Sequence, residues 1–344
     1  MLRWQDLTGL SNEQLGALDV AEVNLACAEE FPEVGSLDAL ECIQRLNHYA
    51  KCAVHYTEKR MPEFRAKPEV YRNSEGVFRM VCIMRLLQGK FGVRYNPAKM
   101  AEDAPFGSVD SFILGALLGE GGTCASLPVV YAAVGRRLGY PIKLVSALRH
   151  LFVRWDDPEG ERFNIEINNH SLDSPPDDYY RKGRYEVTEV VERAGCLLKS
   201  MTPRDELSSF LAERGHRWLE LEQRRRAVEA FAWAWSLAPE NILLKNRLAR
   251  TMDEWAAQLR ASGPPGFPTL FFTWPPRRFP DAIPWLMEKN ILCLEAWENI
   301  LKTAELNEQW WEPMRRGRPV PRKPTKAIIV CKPSGGCEIS FRFN

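Results

Sequence analysis

The sequence lacks an excess of either charge. Its 344 residues carry 46 Lys and Arg against 45 Asp and Glu, a formal net charge of +1, so no global field draws the chain to nucleic acid or to an anionic membrane. It has no CxxC pair, which removes the usual spacing of a structural zinc site. It has no phosphate loop, no HExxH and no GxGxxG at a strand–helix turn, so neither metal nor cofactor is expected. No apolar run reaches the length of a membrane span. The opening MLRWQDLTGLSNEQL lacks the apolar stretch of a signal peptide. The nine cysteines (Cys27, Cys42, Cys52, Cys82, Cys124, Cys196, Cys293, Cys331 and Cys337) are odd in number and scattered. The expectation is a cytoplasmic protein with reduced thiols and no membrane partner.

What is present is globular in composition: 45% hydrophobic and 26% charged residues. The length implies two or three domains. Residues 1–105 read as a helical region. Apolar spacing predicts helices over SNEQLGALDVAEVNLACAEEF, SLDALECIQRLNHYAKCAVHYTEK and EGVFRMVCIMRLLQGKFG, the last stopping at Gly89 or Gly92. Residues 106–200 change character. SLPVVYAAVGRRLGYP predicts a helix to Leu138, with Gly139 as left-handed cap and Pro141 preventing continuation. IKLVSAL, HLFVRW and RFNIEI predict three short strands, the last two a hairpin across DDPEG.

Residues 201–261 predict helices with a repeat signature. With Ser208 as position 1 of a 34-residue unit, Gly215, Ala227, Phe231, Ala234 and Pro239 fall on the small, aromatic and proline positions of a tetratricopeptide repeat. An ordinary helical hairpin is the simpler reading of the same stretch. Residues 262–344 hold a proline-rich segment, a helix and a terminal hairpin of AIIVC and CEISFRF. Within them RRGRPVPRKPTK (315–326) carries six positive charges and three prolines. It lacks interleaved aromatics, which argues against single-strand binding and leaves a solvated linker, with nucleic acid only a weak hint.

GEGGTCASLPVV concentrates the chemistry. Cys124 follows glycines 119, 121 and 122 and precedes an apolar helix in which Pro128 is tolerable only in the first turn. That places the helix start at about Thr123 to Ser126 and Cys124 at its positive end, which favours a thiolate. The Cys124 N–H is then free to serve an oxyanion hole. The glycines read as leaving room for a substrate chain. Downstream, His150, Phe152 and Arg154 share one face of a strand, and Asn164 and Glu166 share one face of the next. With DDPEG as the loop, Trp155 pairs with Glu161, which sets His150 directly opposite Glu166. A carboxylate there fixes the imidazole tautomer. Taken alone, Cys124 reads as a small buried hydrophobe, and His150 and Glu166 as ordinary strand residues. The conjunction of the three is less ordinary. Gly122 and His170 are placed at the cleft rim. SLDSPPDDYYRK reads as a solvated loop, or as a rim or flap over the cleft.

GTCASLPVVYAAVGRRLGYPIKLV, RHLFVRW and RFNIEI together resemble the transglutaminase-like superfamily of papain-like thiol enzymes, in particular its bacterial SirB-type branch. The similarity covers about 20 to 255 and is strongest over 110 to 170. It implies an α+β fold: a catalytic-cysteine helix on a small antiparallel sheet, preceded by helices and followed by tetratricopeptide-like helices. It also implies Cys124 as nucleophile and His150 as base. The family's third residue is usually Asp; Glu166 holds that position here, with Asn164 as the alternative orienting residue. The expected activity is thiol-dependent hydrolysis of an amide in a protein or peptide substrate, through a thioester. Transamidation to an amine and a non-catalytic scaffold are the alternatives. The C-terminal helices are expected to bind a protein partner.

Overall fold

The computed structural model describes residues 2–35, 38–101, 104–167, 172–182, 185, 187–193, 197–262, 324–331 and 337–343. The architecture is α+β: many helices and a small antiparallel sheet. Thirteen α-helices are described: α1 Trp4–Leu7, α2 Asn12–Gly16, α3 Val20–Cys27, α4 Ala39–Ala66, α5 Glu75–Met84, α6 Ser108–Ser111, α7 Ile113–Leu118, α8 Leu127–Arg137, α9 Asp177–Tyr180, α10 Glu189–Arg193, α11 Pro203–Glu220, α12 Arg224–Leu237 and α13 Ile242–Ser262. Strands β1 Ile142–Ala147, β2 His150–Asp156 and β3 Arg162–Ile165 form one sheet in the order β1-β2-β3. β4 Pro324–Cys331 and β5 Cys337–Phe343 pair antiparallel by themselves.

Local chemistry explains the helix ends. Ser11 caps α2 with a reciprocal box to Gln14, Asp38 caps α4, and Ser74 caps α5. The single helix expected over 11–31 is two, because the Asp19 side chain accepts from Ala21 N–H and starts α3 afresh. α4 runs past its expected end to Ala66 and tolerates Pro62 in its last turns. α5 continues into a π turn, Arg85–Lys90, and Gly92 (φ +68°) closes the segment. After α8, Gly139 adopts φ +75°. Tyr140 N–H reaches Gly135 O (3.0 Å) and Gly139 N–H reaches Arg136 O (3.0 Å), the paired bonds of a Schellman cap.

One compact unit comprises Met1–Arg217 with Glu240–Ile242. The expected boundary between the N-terminal helices and the sheet region, at 105/106, lies inside it. α8 is its centre. Every residue from Leu127 to Gly135 is buried, as befits a helix apolar all round, and it packs on α3, α4, α7, β1 and β2. α11 is tied to this unit by Arg136 pairing with Glu206. It is tied again by the fully buried Arg214, which donates to Cys27 O (3.0 Å) and lies over the Trp4 and Phe31 rings.

The second unit is Trp218–Pro239 with Leu243–Asn344. In it Ala227, Phe231 and Ala234 of α12 are buried, and Trp235 Nε1 donates to Pro239 O (3.1 Å) beyond the helix end. The expected proline-rich segment and helix between 262 and 323, with most of the basic stretch 315–326, lie outside the described residues.

Gly121 adopts φ +136°. A Cβ there would stand 2.8 Å from Arg94 O and 2.9 Å from Asn96 N, both backbone atoms. Gly121→Ala is therefore expected to destabilise the first unit by about 1–3 kcal/mol from backbone strain alone. Urea denaturation checks this; a loss below about 0.5 kcal/mol would contradict it.

Candidate functional site

The turn that carries Cys124 is held from both sides. Upstream, Gly122 N–H donates to Arg94 O (2.9 Å), and Asn96 N–H donates to Gly122 O (2.8 Å), so residues 94–96 run parallel to the glycines. Downstream, Thr123 and Ser126 bracket the cysteine. Thr123 N–H donates to Ser126 Oγ (3.0 Å), and Ala125 N–H donates to Thr123 Oγ1 (3.2 Å). Both hydroxyls donate to Asp110 O, at 2.8 and 2.9 Å. The regular helix begins at Leu127, with Pro128 in its first turn. Cys124 is half-buried, and its N–H makes no hydrogen bond among the described residues.

The glycines do not make substrate space. A Cβ on Gly119 would meet Gly115 O at 2.9 Å, and one on Gly122 would meet Leu127 Cγ at 2.6 Å. Gly122 is buried; it serves close packing and not a cleft rim. Protein atoms occupy the room that these glycines seemed to leave open. His170 lies outside the described residues.

His150 opens β2 after a two-residue turn in which Arg149 has φ +58°. The β2–β3 ladder pairs Asp156 with Arg162, Trp155 with Phe163 and Arg154 with Asn164. That differs by two positions from the ladder that a DDPEG loop implies. The loop is Asp157–Glu161, closed by Asp157 N–H on Glu161 O (3.1 Å). Five residues remain in the loop, so parity survives and the same faces point the same way. Carrying the ladder on sets Phe152, not His150, opposite Glu166. His150 and Glu166 are diagonal neighbours, whose Cα atoms stand about 7–8 Å apart, a gap that long side chains span. Glutamate spans it: His150 Nε2 lies 2.9 Å from Glu166 Oε1 and 3.0 Å from Oε2. Both residues are buried.

Tyr180 is the residue that sequence reasoning missed. It is fully buried on α9 and donates its hydroxyl to Glu166 Oε1 (2.5 Å). Its ring stacks on Phe152 at 4.2 Å and 3°, and Tyr185 lies against the His150 ring at 4.8 Å. Burial, then the charge of Glu166, push the Tyr180 hydroxyl far above its usual range, so it remains a donor. SLDSPPDDYYRK is thus not simply a solvated loop. Tyr179 and Asp178 are exposed, but Asp177 enters a buried network. Arg154 Nη2 donates to Asp177 Oδ1 (2.6 Å), Arg154 Nε to Asn164 Oδ1 (2.7 Å) and Arg154 Nη1 to Leu198 O (3.1 Å). Asn164 Nδ2 donates to Asp177 Oδ1 (2.8 Å) and Pro175 O (2.9 Å). Asn164 is consumed by this network and does not orient His150. The signal in the sequence was a pair of tyrosines directly after two aspartates in a stretch otherwise read as solvent-facing.

The Cys124 side chain acts on His150 both as hydrogen-bond partner and through its charge. Burial pushes the imidazole pKa down. Hydrogen bonds to Cys124 and Glu166, and the negative charge of both, push it up and prevail, leaving it at about 9. At neutral pH the ring therefore favours the imidazolium form, with the Glu166 carboxylate on Nε2. Among the described residues no group of three or more His, Cys, Asp or Glu is arranged to hold a metal ion, and no helix is long and apolar enough to cross a membrane. Compared with protein-family models, with curated proteins and with solved structures, the chain matches none.

A raised histidine pKa stabilises the fold fully below the unfolded value near 6.5, and that contribution is lost as pH rises through about 9. Wild-type stability is expected to fall across this window, and the fall to flatten in His150→Asn. Glu166→Gln is expected to lower the His150 midpoint, read by NMR of the imidazole protons. An unchanged midpoint would refute the coupling.

Proposed function

We propose that the chain is a thiol-dependent amide hydrolase of the transglutaminase-like kind, with Cys124 as nucleophile, His150 as acid and base, and Glu166 orienting His150. The arrangement that carries this reading is a buried His150 whose Nε2 is held by the Glu166 carboxylate at 2.9 Å, with the half-buried Cys124 acting on the same ring. Burial pushes the Cys27 and Cys42 thiols up to about 12, which keeps them protonated and unreactive.

In the proposed reaction the Cys124 sulfur attacks the amide carbonyl carbon, and the C=O electron pair moves to oxygen. The Cys124 N–H, without another acceptor, is placed to donate to that oxyanion. Collapse breaks the C–N bond, and the imidazolium gives its proton to the leaving amine. The product is a thioester and a neutral imidazole. Water then gives a proton to His150 as it attacks the thioester, and collapse frees the acid and returns the sulfur to its pair with the imidazolium. Glu166 stabilises the imidazolium whenever it forms, and Tyr180 and the Arg154–Asp177 pair hold Glu166 and its surroundings in place. Water as acceptor requires no second substrate site, which favours hydrolysis over transamidation. A cytoplasmic setting fits the free thiols at Cys27, Cys42, Cys52, Cys82 and Cys124 among the described residues. The tetratricopeptide-like helices are assigned the recognition of a protein partner, because Ala227, Phe231 and Ala234 occupy buried positions at that repeat's spacing.

An electrophilic amide probe is expected to label Cys124 faster than any other cysteine. His150→Ala should slow that labelling by about 10²-fold or more, and Glu166→Gln should slow it less. Mass spectrometry of the labelled peptides reads the rates. Equal labelling of all exposed thiols would favour a non-catalytic scaffold instead. Tyr180→Phe, which keeps the stacked ring, is expected to reduce labelling of Cys124 while leaving the melting temperature within a few degrees. Retention of the full labelling rate would remove Tyr180 from the site.

A further inference from the structure

A second feature of the same unit is built from residues that the candidate site does not use. α4 presents His48, Lys51, His55 and Lys59 at steps of three or four residues, one face of a helix. The π turn Arg85–Lys90 forms the facing wall and contributes Arg85 and Lys90. Isolated π turns are rare and concentrate at functional sites. Between the walls is a groove of about 500 Å³ with Tyr56 and the buried Leu86 among its lining.

The electrostatics of the groove are one-sided. No carboxylate lines it. Lys51, Lys59, Arg85 and Lys90 are exposed, and among the described residues none of them takes an ion-pair partner. Neighbouring guanidiniums behave otherwise: Arg45 pairs with Glu41, Arg60 with Glu63 and Arg79 with Glu75. Four cations lining one groove without anions repel one another, and an anionic ligand relieves that repulsion. Lysine ammonium groups act on phosphate as point charges, and arginine adds a planar fork.

We infer that this groove binds a small molecule bearing several phosphate groups, with its phosphates between Lys51 and Lys59 on one wall and Arg85 and Lys90 on the other. Three observations set the ligand class. The axial span from Lys51 to Lys59 is about 12 Å at the α-helical rise, which suits a phosphate chain or two separated phosphates and exceeds a single one. A volume of about 500 Å³ lies in the range of small-molecule sites. The net charge of the chain is only +1, which gives little general attraction for a polynucleotide. Tyr56 and Leu86 offer apolar contact to the unphosphorylated part of the ligand. The inference does not depend on the thiol chemistry at Cys124.

Isothermal titration of the full chain with sodium tripolyphosphate, at ionic strength held constant with sodium chloride, tests it. Saturable binding at one equivalent is expected. Lys59→Gln with Arg85→Gln removes one cation from each wall and is expected to weaken binding by about 100-fold, about tenfold per charge-assisted contact. Both side chains are exposed, so the circular dichroism spectrum should not change. Arg3→Gln, remote in sequence and paired with Asp6, should bind as the wild type does. Absence of saturation at millimolar tripolyphosphate would overturn the inference, as would undiminished binding by the folded double variant. A short single-stranded oligonucleotide that displaces tripolyphosphate at lower concentration would overturn it in favour of nucleic acid.

Discussion

The buried ion pair between Arg154 and Asp177 sets the shape of the candidate site. Arg154 projects from the same face of β2 as His150 and is 1% exposed. Burial depresses its pKa, and the charge of Asp177 opposes that. A guanidinium so placed is tolerable only with its donors satisfied. Here they meet Asp177, Asn164 and Leu198 O. Breaking such a pair by removing one partner costs about 3–5 kcal/mol. The pair also anchors the first residue of α9, whose last residue is Tyr180. Through that short helix an electrostatic constraint at one end of β2 becomes a hydrogen bond on Glu166 at the other.

The two polar networks on this face divide the work. Arg154, Asn164 and Asp177 hold backbone segments together. His150, Glu166 and Tyr180 hold a titratable ring on which Cys124 also acts. Phe152 separates them, stacked on Tyr180, and keeps the two sets of charges apart with an apolar layer. The arrangement resolves a chemical need: an imidazole that stays charged at neutral pH despite burial requires carboxylate support that is itself fixed. The diagonal placement of Glu166 also accounts for its residue type. An aspartate, one methylene shorter, suits a directly opposed position, whereas glutamate reaches across the longer diagonal.

Much of this was legible locally. Apolar spacing, the proline in the first turn of α8 and the glycine after it marked helices and their ends, because those signals act within a few turns of the chain. Alternation in HLFVRW and RFNIEI marked two strands and which residues share a face. The pairing frame was not legible. A five-residue loop fits DDPEG and DPEGE alike, and both preserve parity, so only the ladder decides between them. The function of the glycines before Cys124 was also hidden, since the atoms that forbid a Cβ belong to Arg94, Asn96, Gly115 and Leu127.

The sequence by itself determined the periodicities, the caps and the face-sharing that bring a cysteine, a histidine and a carboxylate into one neighbourhood. These follow from interactions over a few residues. The tertiary structure decided that both Glu166 oxygens meet His150 across a diagonal, that Asn164 is spent on Arg154, and that Tyr180 of α9 completes the set. Those outcomes rest on satisfying buried polar groups from segments far apart in the chain. No local pattern encodes that matching, because each partner's cost of burial exists only once the others have enclosed it.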